Sequence, residues 1–344
     1  MGEWIVTGPA LVVRGPGEVA VEKRTPGEPG PGEVLVRPHY VGVCGTDLDI
    51  IRGELDPAYV RYPLVLGHEW SGRVLVTGSA VEGLSPGDPV VVEGVLACGK
   101  CQACRAGRTN LCDNYDELGF TVDGAAGPAV SVPAHLVHRL APEVPLEAGA
   151  LVEPGAVVLR GLLEMAMVPG LRVLIIGDGT VALLAALLVR MWSPAVVVMA
   201  GRRPDQEALA TQAGVQEFTV GDPPERAYDL VVEAAGSTSA VETALRSAAP
   251  GGQVLLLGIS GHGNAAQLFV DEVVNHDLAI RGSFSYTAAA WAQTVRLLNI
   301  GSFRPLPLIT HRFPLDQHAE ALALLAEGAD GPRGKILLDL EAGR

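Results

Sequence analysis

The pattern of apolar and polar positions changes about 150 residues into the chain. Before that point, short valine-rich runs occupy residues 34–37, 74–76 and 90–92. Pro-Gly pairs lie between such runs, at residues 16–17, 26–27, 31–32 and 86–87. Runs of β-branched residues bounded by turn-forming pairs are typical of strands. The pattern therefore predicts a β-rich N-terminal part, in which we find no internal repeat.

From residue 153 onward, apolar runs of strand length alternate with segments of helical character. The predicted strands are residues 172–177, 195–199, 230–233 and 254–258. The predicted helices are residues 181–191, 207–213 and 241–248. This alternation predicts a doubly wound parallel sheet. A tail begins near residue 283, and its apolar run at 335–340 is predicted to return as a strand to the first domain.

Composition and charge narrow the class of protein. The 344 residues are 48% hydrophobic, which suffices for two domains that each have a core. The formal net charge of −14 disfavours binding to nucleic acid and to anionic membranes. No apolar run reaches the roughly 18–20 residues that span a bilayer. We therefore expect a soluble cytoplasmic protein without nucleic-acid or membrane partners.

Four of the five cysteines are clustered. Gaps of two, two and seven residues separate Cys98, Cys101, Cys104 and Cys112. Such gaps aim four thiolates at one point, which suits tetrahedral zinc with Zn–S bonds of about 2.3 Å. Two disulfides or four unrelated thiols are alternatives, which the expected absence of a secretory leader disfavours. The cluster therefore predicts a closed structural zinc site.

The fifth cysteine belongs to a different ligand set. Cys44 lies in Gly-Val-Cys-Gly-Thr-Asp at 42–47, His68 and Glu69 follow in Gly-His-Glu, and Glu153 lies in Leu-Val-Glu-Pro. A thiolate, an imidazole and a carboxylate are ligands of catalytic zinc, which keeps one position open for water or substrate. A lone histidine or glutamate is more often structural. Their joint occurrence nevertheless predicts a catalytic metal site.

A glycine-rich turn directly follows the first strand of the predicted parallel sheet. The residues predicted to contact a dinucleotide there are Gly177, Gly179, Thr180, Val181 and Ala182. Glycines let the backbone approach a pyrophosphate, and the following helix N-terminus attracts the anion. The motif is weak alone, but its place between a strand and a helix strengthens it. A carboxylate at Asp178 would repel the pyrophosphate unless it points away.

In this order, the motifs resemble those of the zinc-dependent medium-chain alcohol dehydrogenases, most closely the sorbitol, polyol, glucose and threonine dehydrogenase branch. The resemblance covers nearly the whole chain and includes Pro-Gly-Gly at 250–252. It implies an α/β fold with a GroES-like, β-rich catalytic domain and a doubly wound, parallel-sheet Rossmann domain. The catalytic domain is predicted at 1–155 and 283–344, and the Rossmann domain at 156–282. It also implies an active site between the domains and a homodimer or homotetramer.

The resemblance further implies hydride transfer between a secondary alcohol and a nicotinamide cofactor through a zinc-bound alkoxide. The alcohol is expected to be a polyol, a cyclitol or a sugar derivative. Cys44, His68 and Glu153 are the expected ligands of the catalytic zinc. Glu69 is expected as a fourth ligand or as one that exchanges with water. A second, structural zinc would occupy the four-cysteine cluster.

Neighbouring residues receive supporting roles, and some depart from the family pattern. Thr46 is placed to take the alcohol proton, while Asp47 either orients the site or merely caps a turn. Many relatives have a histidine three residues after the threonine, where this chain has Asp49, so the proton leaves through Asp49, through water or by another path. Gly155 replaces a larger residue and is predicted to open space near the metal. Ser-Tyr at 285–286 replaces Arg-Tyr, so substrate contacts do not carry over intact.

The choice of dinucleotide is predicted from the end of the second parallel strand. NAD-specific enzymes place an acid there, but this chain has Gly201, Arg202 and Arg203, with no acid before Asp205. A guanidinium can hold a 2′-phosphate through two parallel hydrogen bonds. We predict a preference for NADP(H) over NAD(H), with Arg202 on the phosphate and Arg203 beside the adenine. The alternative is that both arginines only solvate the entrance to a helix.

Two other classes of protein share parts of this pattern. A zinc-free reductase of activated double bonds has the same fold, but it should lack both ligand sets. A binding or structural protein could retain the fold without turnover, although such proteins usually lose catalytic ligands. The complete ligand sets therefore favour an enzyme that acts on a small-molecule alcohol or ketone.

Overall fold

The computed structural model describes residues 6–261, 263–328 and 331–342. Parts of the predicted catalytic-domain ranges, residues 1–5, 329–330 and 343–344, therefore lie outside the described residues. Strands form a seven-stranded sheet, a six-stranded sheet and two smaller sheets. The candidate site is built from residues at the ends of particular strands of these sheets.

The N-terminal part is rich in short strands, as its apolar pattern predicts. These strands are β1 (Gly8–Gly15), β2 (Glu18–Arg24), β3 (Glu33–Val43), β4 (Leu64–Val65), β5 (Glu69–Thr77), β6 (Pro89–Val92), β7 (Val95–Leu96), β8 (Asp116–Glu117), β9 (Val130–Pro133) and β10 (Val137–Arg139). The longest of them, β3, pairs antiparallel with β5, so that Gly42 is opposite Glu69. This pairing brings the end of β3 beside the start of β5, where the predicted metal ligands lie.

The second part of the chain forms the predicted parallel sheet. Its strands are β11 (Arg172–Ile176), β12 (Val196–Gly201), β13 (Glu217–Val220), β14 (Tyr228–Glu233), β15 (Ala248–Leu256) and β16 (Ala279–Gly282). Their order is β13-β12-β11-β14-β15-β16. The four predicted strands are confirmed as β11, β12, β14 and β15, whereas β13 and β16 were not predicted. The order reverses at β11, where doubly wound sheets bind ligands beyond the strand ends.

The C-terminal segment returns to the first sheet. Strands β17 (Ile309–Pro314) and β18 (Lys335–Asp339) extend it in the order β10-β6-β5-β3-β18-β17, and β9 also pairs with β3. The predicted return of the strand at 335–340 is therefore confirmed. Because β18 lies antiparallel beside β3, its first residues come close to the end of β3.

Helices connect and cover the sheets. They are α1 (Gly45–Arg52), α2 (Gln102–Arg105), α3 (Leu146–Gly149), α4 (Val152–Leu163), α5 (Thr180–Val189), α6 (Glu207–Gln212), α7 (Thr238–Ser247), α8 (Val270–Asn275), α9 (Ala288–Asn299) and α10 (His318–Glu327). The three predicted helices are confirmed as α5, α6 and α7. One buried apolar cluster extends from Val91 through Leu159 of α4 to Leu184 of α5. Burial of this apolar surface fixes α4, and hence Glu153, between the two large sheets.

None of the described helices is both long enough and apolar enough to span a membrane.

Candidate metal and dinucleotide sites

Cys44 lies at the junction between β3 and α1. Its extended backbone makes it the N-cap residue of α1, and its N–H donates a 2.9 Å hydrogen bond to Oδ2 of Asp47. The Sγ atom of Cys44 lies 3.7 Å from Oγ1 of Thr46. A capping carboxylate at the start of a helix satisfies an otherwise unpaired N–H and fixes the local backbone. The turn-capping role weighed for Asp47 is therefore present.

His68 enters the same site just before β5. Gly67 precedes it with a φ of +101°, and an added Cβ there would lie 2.6 Å from Cγ1 of Val41, so a side chain is excluded. His68 is buried, and its Nδ1 lies 3.6 Å from Oδ1 of Asp47. Burial opposes a charge on the ring, but Asp47 and Cys44 raise the pKa of His68 well above its ordinary value. The anionic groups beside the ring thus favour a cation at this point, whether a proton or a metal ion.

A metal ion fits this group of side chains. The ligand atoms of Cys44, His68 and Glu69 all lie within 4.8 Å of one another. Oδ1 of Asp47 and Nδ1 of His68 are also buried without a hydrogen-bond partner. Thiolate, imidazole and carboxylate are the donors that zinc takes in proteins, and a carboxylate behind a ligating histidine is a recurrent arrangement. The donor set and the orphaned polar atoms are therefore those of a zinc site.

Among the described residues, Glu153 does not belong to the compact group formed by Cys44, His68 and Glu69. It is the second residue of α4, between the two large sheets. Burial raises the pKa of Glu153 to about 8, an effect that the charge of His68 opposes and the charge of Glu69 reinforces. Its role as a third zinc ligand stays a prediction, since the arrangement brings Glu69 into the compact group instead.

Lys335 is a site residue that the sequence did not reveal. It is the first residue of β18, it is 2% exposed, and its ammonium group donates to Oε2 of Glu69 and, at 3.2 Å, to the carbonyl of Val43. Gly42 makes room for this pair, because an added Cβ would lie 2.1 Å from the same Oε2. Burial opposes the ammonium charge, but Glu69 and Cys44 hold the pKa of Lys335 above its ordinary value. The carboxylate of Glu69 therefore has a fixed cationic partner.

Glu117 is a second residue that sequence reasoning missed. It ends β8, and its N–H donates to Oγ1 of Thr121 at 2.8 Å. Burial raises the pKa of Glu117 to about 7, an effect that the charge of His68 partly offsets. A partly buried carboxylate with a perturbed pKa beside a candidate metal site is a candidate for function. In the sequence Glu117 directly follows Asp116 shortly after the cysteine cluster, and nothing in that pattern singles it out.

The residues that depart from the family pattern have specific surroundings. Asp49 lies on α1 after Thr46, and burial together with the charge of Glu54 raises the pKa of Asp49. Its relay role stays a prediction. The expectation for Gly155 is wrong, because the ring of Phe303 fills the space where a side chain would stand, 2.9 Å from an added Cβ. Tyr286 accepts a 2.8 Å hydrogen bond from the N–H of Gly94, so its buried hydroxyl is engaged with the backbone.

The four clustered cysteines converge as their spacing predicts. Their sulfur atoms lie within 4.8 Å of one another, and all are free thiols. Backbone N–H groups of Cys98 and Asn114 donate to Cys112, and the N–H of Cys104 donates to Cys101. Hydrogen bonds from backbone N–H groups, chiefly that of Cys104, lower the pKa of Cys101 to about 6. A compact group that stabilises a thiolate fits a structural zinc ion better than unrelated thiols.

The glycine-rich turn has the geometry that its motif predicts. Gly177 has a φ of +115°, and an added Cβ would lie 3.0 Å from the backbone at Ala234. Gly179 is the N-cap residue of α5, whose first residues are Thr180 and Val181. Ala182 is fully buried where the helix packs. Since the turn joins β11 to α5 at the point where the strand order reverses, these residues lie where dinucleotides bind in such folds.

The end of β12 differs from what the sequence predicted. The position of a Cβ on Gly201 is already occupied, because an added Cβ would lie 2.6 Å from the ring of Phe218 and 3.0 Å from Asp178. Arg203 forms an ion pair with Asp178, with Nη2 2.9 Å from Oδ1. Arg202 is exposed, and among the described residues its guanidinium has no ion-pair or hydrogen-bond partner. The two arginines are therefore not equivalent.

Comparisons with known families match two successive parts of the chain. Residues 30–142 match the alcohol dehydrogenase GroES-like domain, and residues 180–299 match the zinc-binding dehydrogenase domain. The chain is 30% identical over 334 residues to sorbitol dehydrogenase from Macaca fascicularis, with 93% of each chain covered. It is 31% identical over 335 residues to L-threonine 3-dehydrogenase from Pyrococcus horikoshii, covering 92% of this chain and 94% of the relative.

Solved structures also resemble the fold closely. A Sinorhizobium meliloti protein solved in complex with NADP superposes with a TM-score of 0.90 at 28% identity, covering 97% of this chain and 99% of the other. Galactitol-1-phosphate dehydrogenase from Escherichia coli superposes with a TM-score of 0.86 at 28% identity, covering 96% and 100%.

Proposed function

The chain belongs to the zinc-dependent medium-chain alcohol dehydrogenase family, and from this premise we propose that it transfers a hydride between a secondary alcohol and NADP(H). The expected alcohols are polyols, cyclitols or sugar derivatives. Relatives named for sorbitol, threonine and galactitol phosphate support this class, since each of these substrates carries several polar groups around the reacting carbon. The grouping of Cys44, His68 and Glu69 is the observation that carries the proposal.

We assign metal binding, proton removal and orientation of the imidazole to different side chains of the site. Cys44 and His68 would hold the zinc, with Glu69 or Glu153 supplying a carboxylate. When bound there, zinc supplies Lewis-acid chemistry that makes a substrate hydroxyl easier to deprotonate. Thr46 lies beside Cys44 and offers a hydroxyl through which the alcohol proton can leave. The carboxylate of Asp47, whose Oδ1 lies 3.6 Å from Nδ1 of His68, is placed to orient the imidazole, as partners behind metal ligands commonly do.

Glu117 and Glu153 give the site two partly buried carboxyl groups that bear on the substrate class. Both have pKa values raised by burial, to about 7 and about 8. Carboxyl groups of this kind, whether ionised or neutral, hydrogen-bond to hydroxyl groups. A substrate that carries extra hydroxyls would satisfy them, whereas a simple apolar alcohol would displace water from these carboxyl groups without replacing its hydrogen bonds, at a cost in free energy. A panel of polyols, cyclitols, sugars and simple alcohols, followed by nicotinamide absorbance, tests this expectation.

Arg202→Ala is expected to weaken NADPH binding roughly 10- to 100-fold and to change NADH binding by less than about threefold. The reason is that a charge-assisted contact to a phosphate contributes about 1.5–3 kcal/mol, and NADH lacks the 2′-phosphate. Dissociation constants measured by nicotinamide fluorescence provide the test. Arg304→Ala, which removes another exposed arginine whose Nε donates to the carbonyl of Gly301, is the matched control. A native protein that binds NADH as tightly as NADPH would contradict the proposal.

We also propose a homo-oligomer formed through the open edge of the parallel sheet. Strand β16 pairs with β15 on one side, and all four of its residues are exposed. Helix α8, which precedes β16 in the chain, also has exposed apolar side chains, with Val274 70% exposed. Exposed apolar patches next to an unpaired strand edge mark association sites. Replacing Ile280 and Val274 by Lys and Asp is expected to halve or quarter the mass measured by light scattering. Val168→Asp, an exposed apolar residue elsewhere, should leave the mass unchanged.

A further inference from the structure

Asp178 lies in the glycine-rich turn, yet its side chain reaches the end of the next strand. Its Oδ2 atom accepts hydrogen bonds from the backbone N–H groups of Arg202 at 2.9 Å and Arg203 at 3.0 Å. Its Oδ1 atom accepts from Nε of Arg203 at 3.2 Å and from Nη2 at 2.9 Å. The carboxylate thus occupies the end of β12, the place where NAD-specific enzymes have the acid that binds the ribose.

The carboxylate of Asp178 has no acceptor position left for a ribose hydroxyl. An ionised carboxylate offers about four acceptor sites, and the four contacts from Arg202 and Arg203 use them. Burial opposes ionisation, but the hydrogen bonds from Arg203 and from both backbone N–H groups hold the pKa of Asp178 below its usual range. Asp178 is therefore an anion committed to protein partners, not a ligand of the cofactor ribose.

The surrounding structure is built to keep this arrangement. Gly201 lacks the Cβ that would press on Asp178. Gln206 is fully buried and donates to the carbonyl of Asp178 at 2.5 Å and to the carbonyl of Arg333 at 2.8 Å. The carbonyl of Asp178 also accepts from Nη2 of Arg203 at 3.0 Å. Because backbone and side chain of Asp178 are both held, Arg203 cannot turn away without breaking several hydrogen bonds.

Three guanidinium groups surround this point, and two of them are engaged. Arg203 is paired with Asp178, and Nη1 of Arg333 donates to the carbonyls of Leu324 and Leu325. Arg202 alone of the three has a guanidinium without a partner in the described structure. A 2′-phosphate at the end of β12 would therefore meet one available guanidinium.

We propose that Asp178 is a positioning residue that sets dinucleotide selectivity, by holding Arg203 in an ion pair and so withdrawing it from the 2′-phosphate of NADP(H). This inference rests on the proposed use of a nicotinamide dinucleotide at this turn. Selectivity for NADPH is then limited by the charge that Asp178 neutralises. Removal of that charge releases Arg203 as a second phosphate ligand.

Asp178→Asn is expected to tighten NADPH binding roughly 10- to 100-fold, because a released guanidinium adds a charge-assisted contact. NADH binding should change by less than about threefold. The gain should vanish in Asp178→Asn/Arg203→Ala, while Arg203→Ala alone should leave NADPH binding within about threefold of the native value. The measurement is the ratio of the two dissociation constants by nicotinamide fluorescence. Asp205→Asn is the matched control, since it removes a nearby exposed acid that does not pair with Arg203.

Three results would overturn this inference. Equal weakening of NADPH and NADH binding in Asp178→Asn would assign Asp178 a purely structural role. A similar gain in Asp205→Asn would show that general charge, and not the release of Arg203, is responsible. A loss in Arg203→Ala as large as that in Arg202→Ala would show that Arg203 already binds the phosphate. This last measurement decides the matter if Asp178→Asn does not fold.

The proposed cofactor preference and this inference fail in different ways. A native protein that prefers NADH, and that is insensitive to Arg202→Ala, refutes the preference. The inference still stands in that case if Asp178→Asn raises the NADPH to NADH affinity ratio and Arg203→Ala removes the gain.

Discussion

Replacement of His68 by alanine should lower turnover by at least about 10³-fold while leaving dinucleotide binding within about threefold. The buried imidazole is one of three ligand atoms within 4.8 Å of one another, so its loss opens the metal site. A metal that polarises a substrate oxygen contributes several kcal/mol to catalysis, and each 1.36 kcal/mol corresponds to a factor of ten in rate. The glycine-rich turn is built by β11 and α5 and does not depend on this side chain.

The zinc content of each variant shows whether the loss of turnover in His68→Ala comes from loss of the catalytic metal. The native protein is expected to contain two zinc ions per chain, and His68→Ala should retain one, because the cysteine cluster is separate. His138→Ala is the matched control: His138 also faces a carboxylate, with Nε2 2.8 Å from Oε1 of Glu93, but it is not part of the ligand group. Near-native turnover in His68→Ala, or a native protein with no zinc, would contradict the metal mechanism.

The parts of the fold that bury apolar residues could be predicted from the sequence, and the parts held by pairing alone could not. Strands β11 and β12 are buried on nearly every residue, so their apolar runs predicted them. Strand β16 has four exposed residues and is defined by its hydrogen bonds to β15. Such a strand cannot be predicted from the pattern of apolar residues, because the contacts that stabilise it are hydrogen bonds between backbones.

The same distinction applies to the candidate sites. Cys44 and His68 lie in short motifs whose residue types already suggest a ligand set. Lys335 is 266 residues from Glu69 along the chain, and a lone lysine before an apolar run is usually a solvated residue. Its proximity to Glu69 follows only from the pairing of β18 with β3, which the sequence predicted as a return to the first domain but not in register.

The orientation of Asp178 could be constrained from the sequence, but its partner could be identified only from the structure. From sequence, the carboxylate had to point away from a pyrophosphate to be tolerated. In the structure its partner is Arg203, 25 residues further along the chain. Because Gly201 has no side chain, there is room for Asp178 at the end of β12. A guanidinium that looked available from sequence is therefore engaged, whereas its neighbour Arg202 is free to meet a ligand.

The ion pair between Lys335 and Glu69 places two charges in the interior next to the candidate metal. Lys335 is 2% exposed and Glu69 is 2% exposed, so neither charge is screened by water. Desolvation of each ion costs several kcal/mol, and their attraction offsets this cost only while both are present. Removing one partner is consequently worse than removing both. The contact from Lys335 also ties the orientation of the Glu69 carboxylate to β18.

Lys335→Met should destabilise the protein by about 3–5 kcal/mol, because it leaves the carboxylate of Glu69 buried and unpaired. The double variant Glu69→Gln/Lys335→Met should recover most of this loss, since neither charge then remains. Urea unfolding followed by circular dichroism, with zinc in the cysteine cluster but none in the Cys44–His68 site, measures the coupling between the two positions. Lys23→Met, which removes an exposed lysine from β2, should change the unfolding free energy by less than about 0.5 kcal/mol. If the double variant is no more stable than Lys335→Met, the lysine contributes through packing and not by neutralising Glu69.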